Sequence, residues 1–232
     1  MKVIILAAGK GTRLGYNLPK ILTNLPNNET IMSRLLDTII PDIDIKDISV
    51  VVGYKKNLII EKFPSLNYIQ NTDYENTNTS KSLLLALNNI QNDDTIWING
   101  DLIMDKNIFT NIYSYKGNCM AVSNNILLDE EQIKYTVDLN GHIKNVSKVI
   151  KNGRGEAFGL NKISKKDINL LKKSLEECKD DDYFEKGIEI AISNGLIIHP
   201  INICEMFYTE VDFEKDLNYA INFLSKEREI NE

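Results

Sequence analysis

The sequence contains few of the residues that build disulfide frameworks and structural metal centres. Its 232 residues include only three cysteines and two histidines. Cys119, Cys178 and Cys204 lie far apart and without Cys-x-x-Cys spacing, which argues against both a cysteine framework and a zinc motif. This cysteine usage is typical of a reducing compartment, so we expect a cytoplasmic protein.

Long apolar runs and an excess of positive charge are also missing. The first apolar run, residues 3–8, is too short for the apolar region of a signal peptide, and no later run approaches membrane-spanning length. We therefore expect no membrane partner. The 27 Lys and Arg residues against 33 Asp and Glu give a net charge of −6, which argues against a general nucleic-acid binder.

A basic, glycine-rich stretch follows directly after the first β-branched run. Residues 3–20 read VIILAAGKGTRLGYNLPK, and the run 3–6 predicts a buried strand that ends in a loop of small residues. The exposed N–H groups of such a loop form a nest for anions, because glycine permits close approach of the backbone. Lys10, Arg13 and Lys20 add positive charge without an acid among them. The stretch therefore predicts a polyphosphate site.

The rest of the first half alternates between helical and extended patterns. Helices are predicted at residues 31–40, 57–63 and 80–90, the last capped by Ser80, and strands at 48–52, 67–70 and 95–98. This alternation predicts an α/β fold with a Rossmann-like, doubly wound and mostly parallel sheet.

The second half predicts a small antiparallel region within that mixed sheet. Asn140-Gly141 lies between residues 135–139 and 142–149 and is a strong hairpin signal. Later elements are predicted as a strand at 157–163, helices at 164–175 and 183–193, extended chain at 195–203 and a closing helix at 214–224. Without a linker or repeat, we expect one domain over residues 1–232.

A dinucleotide-binding Rossmann loop is the main alternative for the glycine-rich stretch. Its fingerprint opens directly into a helix, whereas Asn17 and Pro19 discourage a helix here. The acidic residue expected after the second strand is also absent, because Val52 is followed by Gly53, Tyr54 and Lys55. The sequence therefore disfavours an NAD-binding oxidoreductase.

The order Leu-x-Ala-Gly-x-Gly-x-Arg, followed by Pro-Lys, resembles the signature loop of the nucleotidyltransferase family, which activates phosphorylated small molecules with an NTP. Gly100-Asp101 and Glu210-Val211-Asp212 extend the resemblance over nearly the whole chain. VVGYKKNLIIEKF and NTDYENTNTSKSLLLAL are similar to segments of LicC-type CTP:phosphocholine cytidylyltransferases and their phosphonate and amino-acid-phosphate relatives.

The resemblance implies an Mg²⁺-dependent cytidylyltransferase that joins CTP to a small phosphorylated or phosphonate acceptor bearing an amine, and releases pyrophosphate. Phosphocholine, 2-aminoethylphosphonate and phosphoglutamine are candidate acceptors, and surface polysaccharide or lipid head-group synthesis is the expected context. Residues 1–115 would form the nucleotide-binding half and residues 116–232 the acceptor-binding half. We expect a monomer or a homodimer.

The resemblance also assigns candidate site residues. Asp101 and Asp212 would bind Mg²⁺, while Lys20 and Arg13 would contact the transferring and leaving phosphates. Asp101 follows a predicted parallel strand, where α/β sheets hold their ligands, although Asp101 could be a turn residue and Asp212 a helix cap. Nucleotide contacts are expected from Leu6, Ala7, Ala8, Gly9, Lys10, Gly11, Thr12, Asn78, Ser82 and Gly100.

Candidate acceptor residues lie in the second half. Lys148 takes the position of the lysine in the Glu-Lys-Pro motif of sugar-type relatives, but Ser147 and Val149 replace its neighbours, which disfavours a sugar phosphate. Glu156, Tyr183 and Glu185 are candidates for the amine, since aromatic faces and carboxylates both attract cations. Aromatic residues at a helix start are also common in cores. A sugar 1-phosphate nucleotidyltransferase using UTP or dTTP, and a non-catalytic nucleotide-binding subunit, remain as alternatives.

Overall fold

The computed structural model of the chain describes residues 1–15, 17–124, 128 and 130–231. The strands are β1 (Lys2–Ala7), β2 (Ile48–Val52), β3 (Asn67–Gln70), β4 (Thr95–Asn99), β5 (Leu102–Met104), β6 (Cys119–Ser123), β7 (Lys134–Val137), β8 (Ile143–Ser147), β9 (Gly155–Ile163), β10 (His199–Asn202) and β11 (Tyr208–Glu210). The helices are α1 (Ile31–Ile39), α2 (Lys56–Lys62), α3 (Thr79–Leu87), α4 (Lys106–Ser114), α5 (Ile168–Glu176), α6 (Phe184–Ser193) and α7 (Glu214–Asn231). Within these ranges no helix is long and apolar enough to cross a membrane.

Strand β1 lies at the centre of the main sheet. It pairs in parallel with β2 on one side and β4 on the other, and the strand order is β10-β6-β9-β4-β1-β2-β3. Strand β9 runs antiparallel to β4 and β6, and the β7–β8 hairpin joins the sheet through β9. The predicted mixed, mostly parallel α/β fold is confirmed.

Apolar cores cover both faces of this sheet. Val3 and Ile5 of β1 face a core that includes side chains of α1, α2 and α4, whereas Ile4 and Leu6 face a core built with α3, α5 and α6. A strand that is buried on both faces needs an apolar residue at every position. This explains the continuous apolar run at the start of the sequence.

A third apolar cluster joins the end of the chain to its first half. Strand β11 pairs antiparallel with β5, and α7 packs Leu217, Ala220 and Leu224 against Leu25 and Ile31. The Val211 N–H donates to the Asp101 carbonyl at 3.0 Å. The pairing therefore brings the chain near residue 212 to the carboxyl end of β4.

Two predicted helix starts are wrong. Asn78, rather than Ser80, caps α3, because its Oδ1 accepts the Thr79 N–H at 2.8 Å; α3 also ends at Leu87, before residue 90. Helix α5 begins at Ile168 rather than at Ser164. The Ser164 hydroxyl instead donates to the Asp167 carboxylate at 3.1 Å.

Several elements had no prediction, and others differ in length. Strands β5 and β11 have three residues each, which is too short for a periodic signal. Helix α7 runs to Asn231 instead of residue 224.

The predicted hairpin is confirmed as β7–β8, with Gly141 at φ +82°. As expected, the described residues contain no α-helix between β1 and α1, only short 3-10 turns.

Gly100, directly after β4, lies in close contact with the backbone of β1. Its N–H donates to the Leu6 carbonyl at 2.9 Å, and a Cβ at Gly100 would lie 2.8 Å from that carbonyl oxygen. We expect Gly100→Ala to lower the free energy of unfolding by ~1–3 kcal/mol, because backbone must shift to admit the methyl group. Urea unfolding measures the change.

Gly9→Ala is the matched control, because nothing lies within 4 Å of a Cβ at Gly9. We expect its stability to equal that of the wild type or to rise slightly, since alanine lowers the entropy of the unfolded chain. Equal free energies of unfolding for the two variants would show that the backbone near Gly100 admits a methyl group without cost.

Candidate active site

A cavity of about 1020 Å³ opens at the carboxyl ends of β1 and β4. This is the point where the order of strands reverses around β1, and α/β sheets commonly bind ligands there. Its volume lies at the upper end of the range for small-molecule sites, so two small molecules fit side by side. The predicted site residues that line it are Leu6, Ala7, Gly9, Lys10, Gly11, Arg13, Lys20, Asn78, Gly100, Asp101, Lys148, Glu156, Tyr183, Glu185 and Asp212.

Lys20 is held between two carboxylates from distant parts of the chain. Its Nζ lies 2.8 Å from Asp101 Oδ2 and 2.5 Å from Asp212 Oδ1. Burial alone would lower the pKa of Lys20, but the two carboxylates outweigh burial and raise the pKa above its usual value. The ammonium group is therefore a fixed positive charge at the base of the cavity.

Arg13 of the glycine-rich loop is a second cation beside the Asp212 carboxylate. Arg13 Nη1 lies 3.2 Å from Asp212 Oδ2, and its guanidinium lies 5.5 Å from the centre of the Phe213 ring. Gly11 has φ +59°, and a Cβ there would lie 2.7 Å from Lys20 Cβ. Glycine at this position therefore lets the loop pack directly against Lys20.

Asp101 and Asp212 form an oxygen donor pair that suits Mg²⁺. Asp101 Oδ1 is buried and has no hydrogen-bond partner in the described part of the chain, although its Oδ2 contacts Lys20. No group of three or more His, Cys, Asp or Glu side chains in the described ranges could hold a metal ion. Mg²⁺ typically takes one or two carboxylates and completes its shell with water and phosphate oxygens, so the residues present fit this ion.

Another part of the cavity wall combines a carboxylate with aromatic rings. The Tyr208 hydroxyl donates to Glu156 Oε2 at 3.3 Å, and the Phe158 ring stacks on Tyr208 with 4.7 Å between centroids. Tyr208 was not a candidate before the structure, because nothing in its sequence context marks a three-residue strand. The structure adds it as a neighbour of Glu156.

The start of α6 contributes Tyr183 and Glu185 to the cavity. Lys148 Nζ lies 5.4 Å from the centre of the Tyr183 ring and 3.6 Å from Glu131 Oε2. Glu185 is only 9% exposed, and its Oε2 is buried without a partner in the described chain. Burial raises the pKa of Glu185 to about 7, against an opposing effect of Lys148.

Glu210 is a further carboxylate in the cavity that was not a separate candidate. Its Oε1 accepts the Gly159 N–H at 3.3 Å. Burial, followed by the negative charges of Asp101, Glu156 and Asp212, raises its pKa to about 8. The signal was available in the Glu210-Val211-Asp212 motif, because residues two apart in extended chain lie on the same side.

Two predicted nucleotide contacts, Ala8 and Ser82, do not line the cavity. Ser82 is buried with its hydroxyl 3.1 Å from Asn71 Nδ2, and Ala8 is also buried. The side chain of Thr12 lies outside the described residues. Asn78 does reach the cavity, but its side chain caps α3 and donates to the Asp181 carbonyl at 3.2 Å. Contacts of these residues with a nucleotide stay predictions.

Comparisons with known proteins identify similar sequences and folds. Residues 3–123 match the family described as MobA-like NTP transferase domain. The 2-aminoethylphosphonate cytidylyltransferase of Lancefieldella rimae is 32% identical over 116 residues, which are 46% of this chain and 45% of that relative. The chain spans about half or less of the length of the curated relatives that it matches.

Two solved structures resemble the chain over almost its whole length. The inositol-1-phosphate CTP transferase from T. maritima has a TM-score of 0.79 at 19% identity and covers 97% of this chain and 95% of its own. The CTP:phosphocholine cytidylyltransferase LicC from Streptococcus pneumoniae has a TM-score of 0.77 at 19% identity, with coverages of 96% and 98%. At these identities the likeness shows a common fold.

The raised pKa of Glu185 predicts a pH dependence of stability. Between its unfolded value of 4.5 and its folded value of about 7, the carboxyl group loses its proton more readily in the unfolded chain, so the free energy of unfolding falls as pH rises. Glu185→Gln should remove this contribution of roughly 3 kcal/mol. Denaturant unfolding of both proteins at several pH values from 4.5 to 8 measures the difference.

Glu177→Gln is the control, because Glu177 is an exposed carboxylate at the end of α5. Its stability should follow the wild-type pH profile. If Glu185→Gln runs parallel to the wild type as well, Glu185 is not desolvated as the geometry indicates.

Proposed function

The chain belongs to the family of MobA-like NTP transferase domains, and from this membership we propose that it is a cytidylyltransferase. It would join CTP to a small phosphorylated or phosphonate acceptor that bears an amine, and release pyrophosphate. The observation that carries the proposal is the position of Lys20 between Asp101 and Asp212, beside a glycine-rich loop. The 2-aminoethylphosphonate cytidylyltransferase relative and the LicC structure support CTP and an amine-bearing acceptor.

The reaction needs charge neutralisation more than it needs a base. An oxygen of the acceptor's phosphate or phosphonate attacks the α-phosphorus of CTP; the new P–O bond forms as the bond to pyrophosphate breaks. A phosphate monoester has a second pKa of about 6, so its oxygen is already ionised at neutral pH. The obstacle is repulsion between two anions, which fixed cations and backbone donors reduce.

The cavity offers these cations at one end. Lys20 is held in place by two carboxylates and would contact the transferring phosphate, while Arg13 of the loop would bind the leaving pyrophosphate. Asp101 and Asp212 would hold Mg²⁺. When bound, this ion supplies neutralisation of phosphate charge on both reactants.

The other end of the cavity would bind the acceptor. Lys148 is the cation available there for a phosphate or phosphonate, and Glu156, Tyr183 and Glu185 would face the amine. The carboxylates Glu156 and Glu185 would disfavour the triphosphate of CTP at this end, which separates the amine from the nucleotide. A zwitterionic acceptor matches this distribution of charge.

Turnover of defined substrates tests the proposal. The protein is incubated with Mg²⁺, with CTP, UTP or dTTP, and with phosphocholine, phosphoethanolamine, 2-aminoethylphosphonate, phosphoglutamine or a sugar 1-phosphate, and pyrophosphate release is measured. We expect release with CTP and an amine-bearing acceptor. Release only with a sugar 1-phosphate and UTP or dTTP would identify the sugar-type alternative, and nucleotide binding without any release would identify a non-catalytic subunit.

Asp101→Asn tests the carboxylate pair. The change keeps the shape but removes one charge, so we expect turnover to fall at least ~100-fold and Mn²⁺ binding, measured by electron paramagnetic resonance, to weaken. Circular dichroism should remain that of the wild type.

Asp37→Asn is the matched control, because Asp37 is an exposed aspartate on α1 outside the cavity. It should leave turnover and Mn²⁺ binding unchanged. Near-normal turnover of Asp101→Asn would remove Asp101 from the mechanism.

A further inference from the structure

Glu185 lines the cavity and has one buried carboxyl oxygen without a hydrogen-bond partner in the described chain. Its Oε2 is buried and has no hydrogen-bond partner among residues 1–15, 17–124, 128 and 130–231. Native proteins rarely leave a buried carboxyl oxygen unpaired, because its lost hydration is not replaced by another hydrogen bond. Asp101 Oδ1 in the same cavity is also buried without a partner in the described chain, and Asp101 is one of the two residues that would hold Mg²⁺. By the same reasoning, Glu185 Oε2 is an acceptor that a ligand would satisfy.

Two tyrosine rings that line the cavity already contact other side chains. Lys148 Nζ already lies 5.4 Å from the centre of the Tyr183 ring. The Phe158 ring lies almost parallel to Tyr208, with an interplanar angle of 20°. One face of each tyrosine is therefore in contact with another group and is not available to an ammonium group.

We infer that Glu185 selects an acceptor whose positive charge is a primary ammonium group over one that carries a quaternary ammonium. A primary ammonium has three N–H donors, and one of them can satisfy Glu185 Oε2. A trimethylammonium group has none, so it would leave this oxygen without a hydrogen bond. This inference rests on the proposed function.

The expected preference for a primary over a quaternary ammonium group follows from the cost of leaving a buried hydrogen-bonding group unpaired. Sites that hydrogen-bond a substrate group reject analogues without that group strongly, because the buried partner is left unpaired. We therefore expect primary amines to be favoured by about tenfold or more. The substrate class is a small phosphate ester or phosphonate with a protonated primary amine at its other end.

A series of acceptors that differ only in methylation tests this inference. The series is phosphoethanolamine, its N-methyl and N,N-dimethyl derivatives, and phosphocholine, each with CTP and Mg²⁺. We expect kcat/KM of the wild type to fall at least about tenfold along the series, mainly through KM. The wild-type series needs no variant, so it remains decisive even if a substitution at residue 185 prevents folding.

Glu185→Gln assigns the preference to this side chain. The amide keeps the volume but presents N–H groups to the ammonium, so KM for phosphoethanolamine should rise about tenfold, while KM for phosphocholine should change little. The maximal rate and the CTP affinity, measured by calorimetry, should be retained, since Glu185 would bind the acceptor only. Glu177→Gln, at an exposed position, should behave as the wild type.

The outcomes separate this inference from the proposed function. Pyrophosphate release with phosphocholine equal to or above that with phosphoethanolamine would overturn the role of Glu185 and leave the cytidylyltransferase proposal standing. A preference for primary amines that survives in Glu185→Gln would overturn the assignment to Glu185. If no member of the series and no other amine-bearing acceptor gives pyrophosphate, the proposed function fails, and this inference fails with it.

Discussion

Lys20 is a partly buried ammonium group that is balanced by two carboxylates from distant parts of the chain. Asp101 is 81 positions away and Asp212 is 192 positions away in sequence. Both carboxylates reach Lys20 because β11 pairs with β5, so the last part of the chain completes a site that begins in the first loop. Breaking any one member would leave an uncompensated charge in a partly buried place. The arrangement of the strands and the electrostatics of the site therefore depend on each other.

The cavity has a gradient of charge that follows from where its two ends are built. Lys20 and Arg13 belong to the glycine-rich loop and its extension, so positive charge collects where backbone N–H groups are also exposed. Glu156 lies on β9 and Glu185 lies at the start of α6, and both line the same cavity. A molecule with a phosphate at one end and a protonated amine at the other complements this gradient. The same distribution of charge disfavours a ligand that is anionic throughout.

Sequence predicted the parts of the fold whose signals are local. The glycine-rich loop after β1 and the Asn140-Gly141 hairpin each require particular backbone conformations, and these restrict the residues that occupy them. The start of α3 was missed because Asn78 and Ser80 are both good caps, and contacts with the segment before α6 decide between them. Strands β5 and β11 were not predicted, because each has only three residues and is defined by its pairing with the other. Glu210 could have been found from its spacing to Asp212, but its burial depends on that same pairing.

The residues that would transfer the nucleotidyl group and those that would choose the acceptor lie on different elements. Asp101 and Asp212 are fixed by the β5–β11 pairing beside the central sheet, where a shift of one strand would move both the carboxylates and Lys20. Glu185 lies in the first turn of α6, and its position depends on packing of that helix against α3 and α5 rather than on the carboxylate pair. A substitution at the start of α6 can therefore alter the amine subsite without moving Lys20. Under the proposed function, this separation would let the acceptor pocket change while Lys20, Asp101 and Asp212 stay in place.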